Sequence, residues 1–250
     1  KIPKDQIDEK WLKYPVIYLN FDEIFQDFSS EKEFDTNLEN ALRSVKESYK
    51  LDYNRTWENV AVLISDLHTK FNLDVVVLVD NYDAPISHLT KVKRNDDTLL
   101  RHVTLQIGRF FQNLKNHPKI TFALVTGVHR LRFNGRDGGT DEFTDITYDS
   151  DFEEAFGFTE TEMVENLYPC IEKRSGCQNK STEDLLQQLR EWYGNYRFSE
   201  KNQSNGVIHP ASVIKCLEEG TFKADHICEN RAMLPVTRRF YFEGFTLDLL

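Results

Sequence analysis

Val75-Val-Val-Leu-Val-Asp80-Asn81-Tyr82-Asp83-Ala84-Pro85-Ile86 is the stretch on which the reading of the whole chain turns. Five aliphatic residues, four of them valine, run straight into an aspartate. The run is continuous in hydrophobicity rather than alternating. Strands take this form when both faces of their sheet are covered, as in parallel α/β sheets. A carboxylate at the end of such a strand stands at the carboxyl edge of the sheet, where open α/β folds bind ligands.

A carboxylate so placed is the Walker B arrangement. It predicts that Asp80 holds Mg²⁺, usually through water, with the metal bridging nucleotide phosphates. In active enzymes of this type a glutamate follows and polarises the attacking water. Asn81 occupies that position, and an amide takes no proton at neutral pH, so general-base work is lost there. Asp83 counts with Asp80 among the candidate cofactor-binding residues. The plain alternative is a buried strand ending in a turn, with Asp83 as turn former before Ala84-Pro85.

Two further apolar runs flank this one: Tyr14 to Phe21, and Ile120 to Thr126. Between them lie helical stripes. Glu31 to Lys50 carries Phe34, Leu38, Leu42, Val45 and Tyr49; Trp57 to Phe71 carries Val60, Leu63, Ile64 and Leu67; Leu99 to Leu114 carries Val103, Ile107, Phe110 and Phe111. Strand and helix alternate, which predicts right-handed βαβ crossovers in a layered, mostly parallel sheet. Arg132 to Asp141, with three glycines, reads as a mobile loop, and Phe143 to Tyr148 as one more short strand. Beyond Phe152 the pattern turns helical, with starts at Thr159 and Thr182. The expected organisation is an α/β core over 1–150 and a smaller, mainly helical lobe over 151–250.

The third run ends Val125-Thr126-Gly127-Val128-His129-Arg130. A strand beside a metal-holding strand often ends in a polar residue that senses the terminal phosphate. Thr126 stands at that place, with His129 a candidate for the cofactor and Arg130 for phosphate charge. The alternative is an ordinary strand exit with solvated basic residues. No Gly-Lys-Ser/Thr phosphate cradle occurs in the 250 residues, nor any Gly-x-Ser-x-Gly or His-Glu-x-x-His.

The net charge of -10 argues against a broad nucleic-acid-binding face. No apolar run reaches the roughly 18 residues of a membrane span, and Lys1 to Lys13 is too polar for a secretory leader. A soluble intracellular protein, cytoplasmic or nuclear, is expected. The four cysteines lack CxxC spacing and read as buried or free thiols.

Taken in order, these strings resemble the predicted AAA-ATPase-like family, a P-loop group often found beside a PD-(D/E)xK nuclease-like domain. Tyr14 to Phe21 resembles the family's second strand; Leu78 to Ile86 is similar to its Asp-Glu-Tyr-Asp-x-Pro-Ile string; Phe122 to Arg130 is similar to its Thr-Gly-Val segment. Phe143 to Thr147, Phe156 to Glu162, Leu189 to Phe198 and Gly206 to Val213 resemble later family strings. The resemblance implies a P-loop NTPase fold whose Gly-Lys-Ser loop and preceding strand lie upstream of Tyr14. That strand is central in such a sheet. Its absence should leave unpaired edges and an uncovered apolar layer, to be filled by another segment or another chain.

Two functions follow as expectations. One is a degenerate module that binds a protein partner, with ATP and Mg²⁺ doubtful and little or no hydrolysis; the aromatics at Trp192 to Phe198 and Phe240 to Phe245 are its candidate surface, or simply core. The other is an active ATP-binding module whose phosphate loop lies elsewhere in sequence, coupled to nucleic-acid processing.

Overall fold

The computed structural model describes residues 13–51, 59–92, 97–115, 117–129, 131, 143–177, 181–199 and 206–224. They divide after Phe143 into two compact units.

The first unit holds three strands, β1 (Val16–Asn20), β2 (Val75–Asp80) and β3 (Ile120–Val125). All pair in parallel, in the order β1-β2-β3, so β2 is interior. Five helices connect them: α1 (Phe21–Ile24), α2 (Glu31–Ser48), α3 (Val60–Phe71), α4 (Ala84–Val92) and α5 (Asp97–Leu114). The three apolar runs are the strands, and the three amphipathic stripes are α2, α3 and α5. Two helices that the sequence reading left out, α1 and α4, begin immediately after the polar ends of β1 and close to that of β2.

Local chemistry sets the helix ends. Ser30 Oγ accepts from Glu33 N at 3.3 Å, and the Glu33 carboxylate returns to Ser29 N at 2.6 Å, closing the start of α2. Lys70 on α3 donates to the carbonyls of Tyr49 and Lys50, each at 2.8 Å, and so satisfies the carboxyl end of α2. All five helices contribute to one core with Ile17, Leu19, Val75, Val77 and Val79 of the sheet. Phe25 stacks on Phe34 at 4.4 Å between centroids, and Phe21 meets Phe110 edge to face at 5.5 Å. Such pairs add about 0.5–1.5 kcal/mol each beyond area burial.

The opposite face of the sheet carries partly exposed apolar residues, in line with the uncovered apolar layer expected above. Pairing aligns Val16 with Val76 and Phe122, and Tyr18 with Leu78 and Leu124, in two apolar rows. Tyr18 and Phe122 are each 53% exposed. The strands are apolar on both sides, but the described helices of this unit pack into a single core on one side. No gap interrupts the described sheet: β1, β2 and β3 are contiguous, and β3 has no strand on its far side among the described residues. The outer edge of β1 is tied instead by Tyr49, whose hydroxyl accepts from Val16 N at 2.8 Å and donates to Val16 O at 3.0 Å.

Phe143 to Tyr148, expected as a strand, forms none. Asp145 Oδ1 accepts from Thr147 N at 2.9 Å, a local side-chain turn that competes with pairing. In the second unit α6 (Glu160–Cys177), α7 (Thr182–Tyr193) and α8 (Pro210–Glu219) enclose Met163, Ile171, Leu189, Tyr193 and Val213. A helical second half was expected; α8 was not, although Pro210 at its first turn is a start signal. Three strings quoted above for the resemblance meet here. Phe158 bridges Ile208, Tyr196 bridges Val207, and His209 N donates to Tyr193 O at 2.8 Å. Gly194 follows because a Cβ there would lie 2.5 Å from Arg190 O. The Trp192 to Phe198 string, whose role sequence left open, therefore ends α7 and anchors the chain entering α8. Of its aromatics Tyr193 is core and Trp192 is exposed.

Candidate functional site

The ends of the three parallel strands bring the sequence candidates together. In register, Asn20 of β1 lies beside Asp80 of β2. Thr126, one residue past β3, donates its hydroxyl to Asp80 Oδ1. The same oxygen accepts from Asn81 N at 2.9 Å. Asp80 Oδ2 has no hydrogen-bond partner among the described residues. Thr126 is held in place by the backbone, its N–H on Val79 O at 2.9 Å and its carbonyl taking Tyr82 N at 3.0 Å.

Asn81 has φ of 53°, in the left-handed region that asparagine tolerates better than most residues. Its Nδ2 donates to Asn20 Oδ1 at 3.1 Å. Asn20 is a candidate site residue that sequence reading missed. The signal available was its place as the last residue of an apolar run, matching Asp80 in position.

Asp83 is only 3% exposed and works differently from Asp80. Its Oδ1 accepts from Val128 N at 3.0 Å and its Oδ2 from His129 N at 3.1 Å. His129 Nδ1 also contacts Oδ2, and because a carboxylate only accepts, the ring proton is on Nδ1. The Asp83 side chain thus clamps the segment after β3 to the start of α4, while its backbone lies in the turn closed by Ala84 N on Asn81 O at 2.9 Å. Tyr82 adds a second tie, its hydroxyl donating to His129 O at 2.7 Å and accepting from Leu131 N at 2.6 Å. Gly127 fits between these groups because it lacks a side chain: a Cβ would stand 2.5 Å from Tyr82 Cδ1 and 2.6 Å from Asp83 Oδ1. Arg130 lies outside the described residues.

The candidate site therefore joins Asp80 to the Thr126 hydroxyl and the Asn81 backbone, with Asp83 clamping the segment that follows Thr126. Asp22 and Glu23 follow Asn20 at the same edge, so the local charge is negative. Among the described residues no group of three or more His, Cys, Asp or Glu side chains could hold a metal by itself. One carboxylate with water suits Mg²⁺, which keeps much of its hydration, better than it suits zinc or calcium.

The family profile described as "Predicted AAA-ATPase" matches residues 2–135, which is 134 of 250 positions and more than half of the chain. The chain belongs to the predicted AAA-ATPase family. The match covers the described unit that carries Asp80, Asn81 and Thr126. The chain is also 24% identical over 187 residues to an uncharacterized protein in the vnfD 5′ region of Azotobacter chroococcum mcd 1. That alignment covers 69% of the present chain and 33% of the relative, so the chain spans about a third of the relative's length. No solved structure matches the chain. No helix among the described residues is long and apolar enough to cross a membrane.

Proposed function

We propose that this predicted AAA-ATPase chain supplies the magnesium-facing side of a nucleotide site and that it hydrolyses nucleotide slowly or not at all. The observation that supports this most is the Asp80–Thr126 hydrogen bond across β2 and β3 at the carboxyl edge of a parallel sheet. Asp80 is the Walker B carboxylate of this reading and the residue that holds Mg²⁺, with Thr126 beside it. Mg²⁺, when bound, neutralises phosphate charge and orients the phosphates. The acidic edge favours a cation and repels a bare polyphosphate, so nucleotide affinity depends on a phosphate cradle that these 250 residues do not contain. Asn81 accepts a hydrogen bond but takes no proton, which accounts for low turnover.

Mn²⁺, a paramagnetic substitute for Mg²⁺, tests the reading on the chain as it stands. Electron paramagnetic resonance titration is expected to find one site, lost in Asp80→Ala, together with no phosphate release from Mg-ATP above buffer. Mn²⁺ binding that is indifferent to Asp80→Ala refutes the metal assignment, and turnover abolished by that substitution refutes the inactive assignment.

A second role as a protein-interaction module is supported by the exposed rows of Val16, Tyr18 and Phe122, since contiguous apolar surface marks contact sites. Capture of a partner that is lost in Tyr18→Lys and Phe122→Lys, but retained in Asp80→Ala, is the result that favours this role over the first.

A further inference from the structure

Two pairs of large apolar side chains stay exposed on the segment that enters α6 and on α6 itself. Phe156 is 64% exposed, and Phe152, Val164 and Tyr168 are 40–42% exposed. Each pair is four residues apart, which on α6 puts Val164 and Tyr168 in one stripe. The core of the second unit is built on the neighbouring stripe, Met163, Leu167 and Ile171, so the exposed one is surplus to it. The backbone beside Phe156 is firmly held. Phe158 and Ile208 exchange both N–H···O bonds at 2.9 Å, and Gly157 lies so close to Val207 that a Cβ would stand 2.4 Å from its side chain. Thr159 and Glu162 then close the start of α6 reciprocally, at 3.0 and 3.2 Å. Anchors on a fixed backbone lose little freedom when a partner arrives.

Charge decides what fits there. From Asp145 to Glu172 the sequence has nine Asp or Glu and no Lys or Arg, so nothing within the stretch offsets its charge. Glu160 pairs with Arg190 at 2.6 Å and Glu162 caps α6. Asp151, Glu153, Glu154 and Glu165 make no ion pair among the described residues, and they alternate with the exposed apolar side chains. We propose that this face of α6 and its entry segment docks a basic segment of a protein partner, one that sets aliphatic or aromatic side chains between Lys or Arg residues. The apolar pairs supply the contact area, and the acids set the sign of the partner. Nucleic acid and anionic membrane are repelled by the same acids. A second copy of the chain, docked two-fold on this face, would bring like charges together. The surface lies in the second unit, beyond the family match over residues 2–135, and is separate from the sheet rows of Val16, Tyr18 and Phe122.

The test pans the full chain against phage displaying short random peptides, with the Phe156→Ser/Tyr168→Ser variant as counter-selection. The most enriched peptide is then titrated by fluorescence anisotropy. Enriched sequences should combine Lys or Arg with Leu, Phe or Trp. Affinity for that peptide should fall about tenfold or more in Phe156→Ser and in Tyr168→Ser taken singly, as for a central apolar anchor. Glu154→Lys and Glu165→Lys should each weaken it about three- to fivefold in low salt and less in high salt. Leu105→Ser, at a residue of the first unit that is 41% exposed, should leave it unchanged. All these side chains are exposed or rim the surface, and unchanged circular dichroism separates lost binding from lost fold. No enrichment, enriched peptides that are acidic or uncharged, or binding indifferent to either aromatic residue overturns the proposal. So does self-association of the wild type in sedimentation that Phe156→Ser abolishes, because the occupant would then be a second copy. None of these outcomes touches the Asp80-dependent Mn²⁺ site, which stands or falls on its own titration.

Discussion

Removing the Asp83 carboxylate should cost far more stability than removing the Asp80 carboxylate three residues earlier. Asp83→Ala deletes an acceptor that is 3% exposed and leaves Val128 N–H, His129 N–H and His129 Nδ1–H without their partner. A hydrogen bond to a charged group contributes about 1.5–3 kcal/mol, and three deleted together sum to less than three times that. Val128 is exposed, so water restores part of what its N–H loses. About 3 kcal/mol is the expected loss for Asp83→Ala, and about 2 kcal/mol for Asp83→Asn, whose amide accepts on one arm only. Asp80→Ala removes an acceptor from Thr126 and Asn81 N–H at an open edge, where water substitutes. It should cost under about 1 kcal/mol, as site residues often do. Urea unfolding followed by circular dichroism gives the totals, and hydrogen exchange at the amides of Val128 and His129 gives the local effect. Equal losses for the two aspartates, or unchanged exchange at both amides in Asp83→Ala, would defeat the distinction between clamp and site.

Three further outcomes are expected. Gly127→Ala should destabilise by about 1–3 kcal/mol in the same urea assay, because Tyr82 is pinned at its hydroxyl and cannot swing away from the new methyl. Burial pushes the His117 imidazole below its ordinary value, against a backbone hydrogen bond that raises it and with Lys119 adding to the lowering. The unfolded state therefore binds the proton more tightly, so His117 contributes stability above about pH 6.5 that is lost as pH falls through the lowered folded value; a stability profile from pH 8 to 5 should flatten in His117→Gln. Burial raises the Cys216 thiol, opposed by a hydrogen bond with Tyr193 and by Arg174. Mass-spectrometric mapping with iodoacetamide at pH 8 should accordingly find the exposed Cys170 alkylated well before Cys216 in the native chain.

The strands and the long helices were legible because each is written in a single period: continuous apolar runs for β1 to β3, helical stripes for α2, α3 and α5. Helix α4 was hidden because Asp83-Ala-Pro reads locally as a turn, while in the fold Ser87 N–H already reaches Asp83 O at 3.0 Å and the side chain is drawn off to the segment after β3. Phe143 to Tyr148 misled for the opposite reason. Its apolar residues suit a strand, but Asp145 satisfies the backbone locally. The meeting of Asn20, Asp80 and Thr126 follows from strand ends in a parallel sheet and could be read from sequence for the last two. The Asp83–His129 pair could not, because no local pattern says which of two nearby carboxylates turns inward.

That division between two carboxylates supports the reading of this edge as a cation site. Asp80 ends an interior strand, paired with Asn20 on one side and following the Val79–Val125 pair on the other, yet one of its oxygens has no partner among the described residues. The segment after β3 gains its rigidity from Asp83 and Tyr82, which means Thr126 is positioned without using Asp80 as the anchor. A restoring substitution, Asn81→Glu, meets this frame on unfavourable terms. Glutamate at φ of 53° costs about 1 kcal/mol more than asparagine, and it brings a second acceptor against Asn20 Oδ1. Asn81→Glu should therefore be about 1–2 kcal/mol less stable than wild type in urea, the lost hydrogen bond adding to the backbone cost. A variant as stable as wild type would mean that the backbone at position 81 shifts freely, and that the amide is not held there by the strand ends around it.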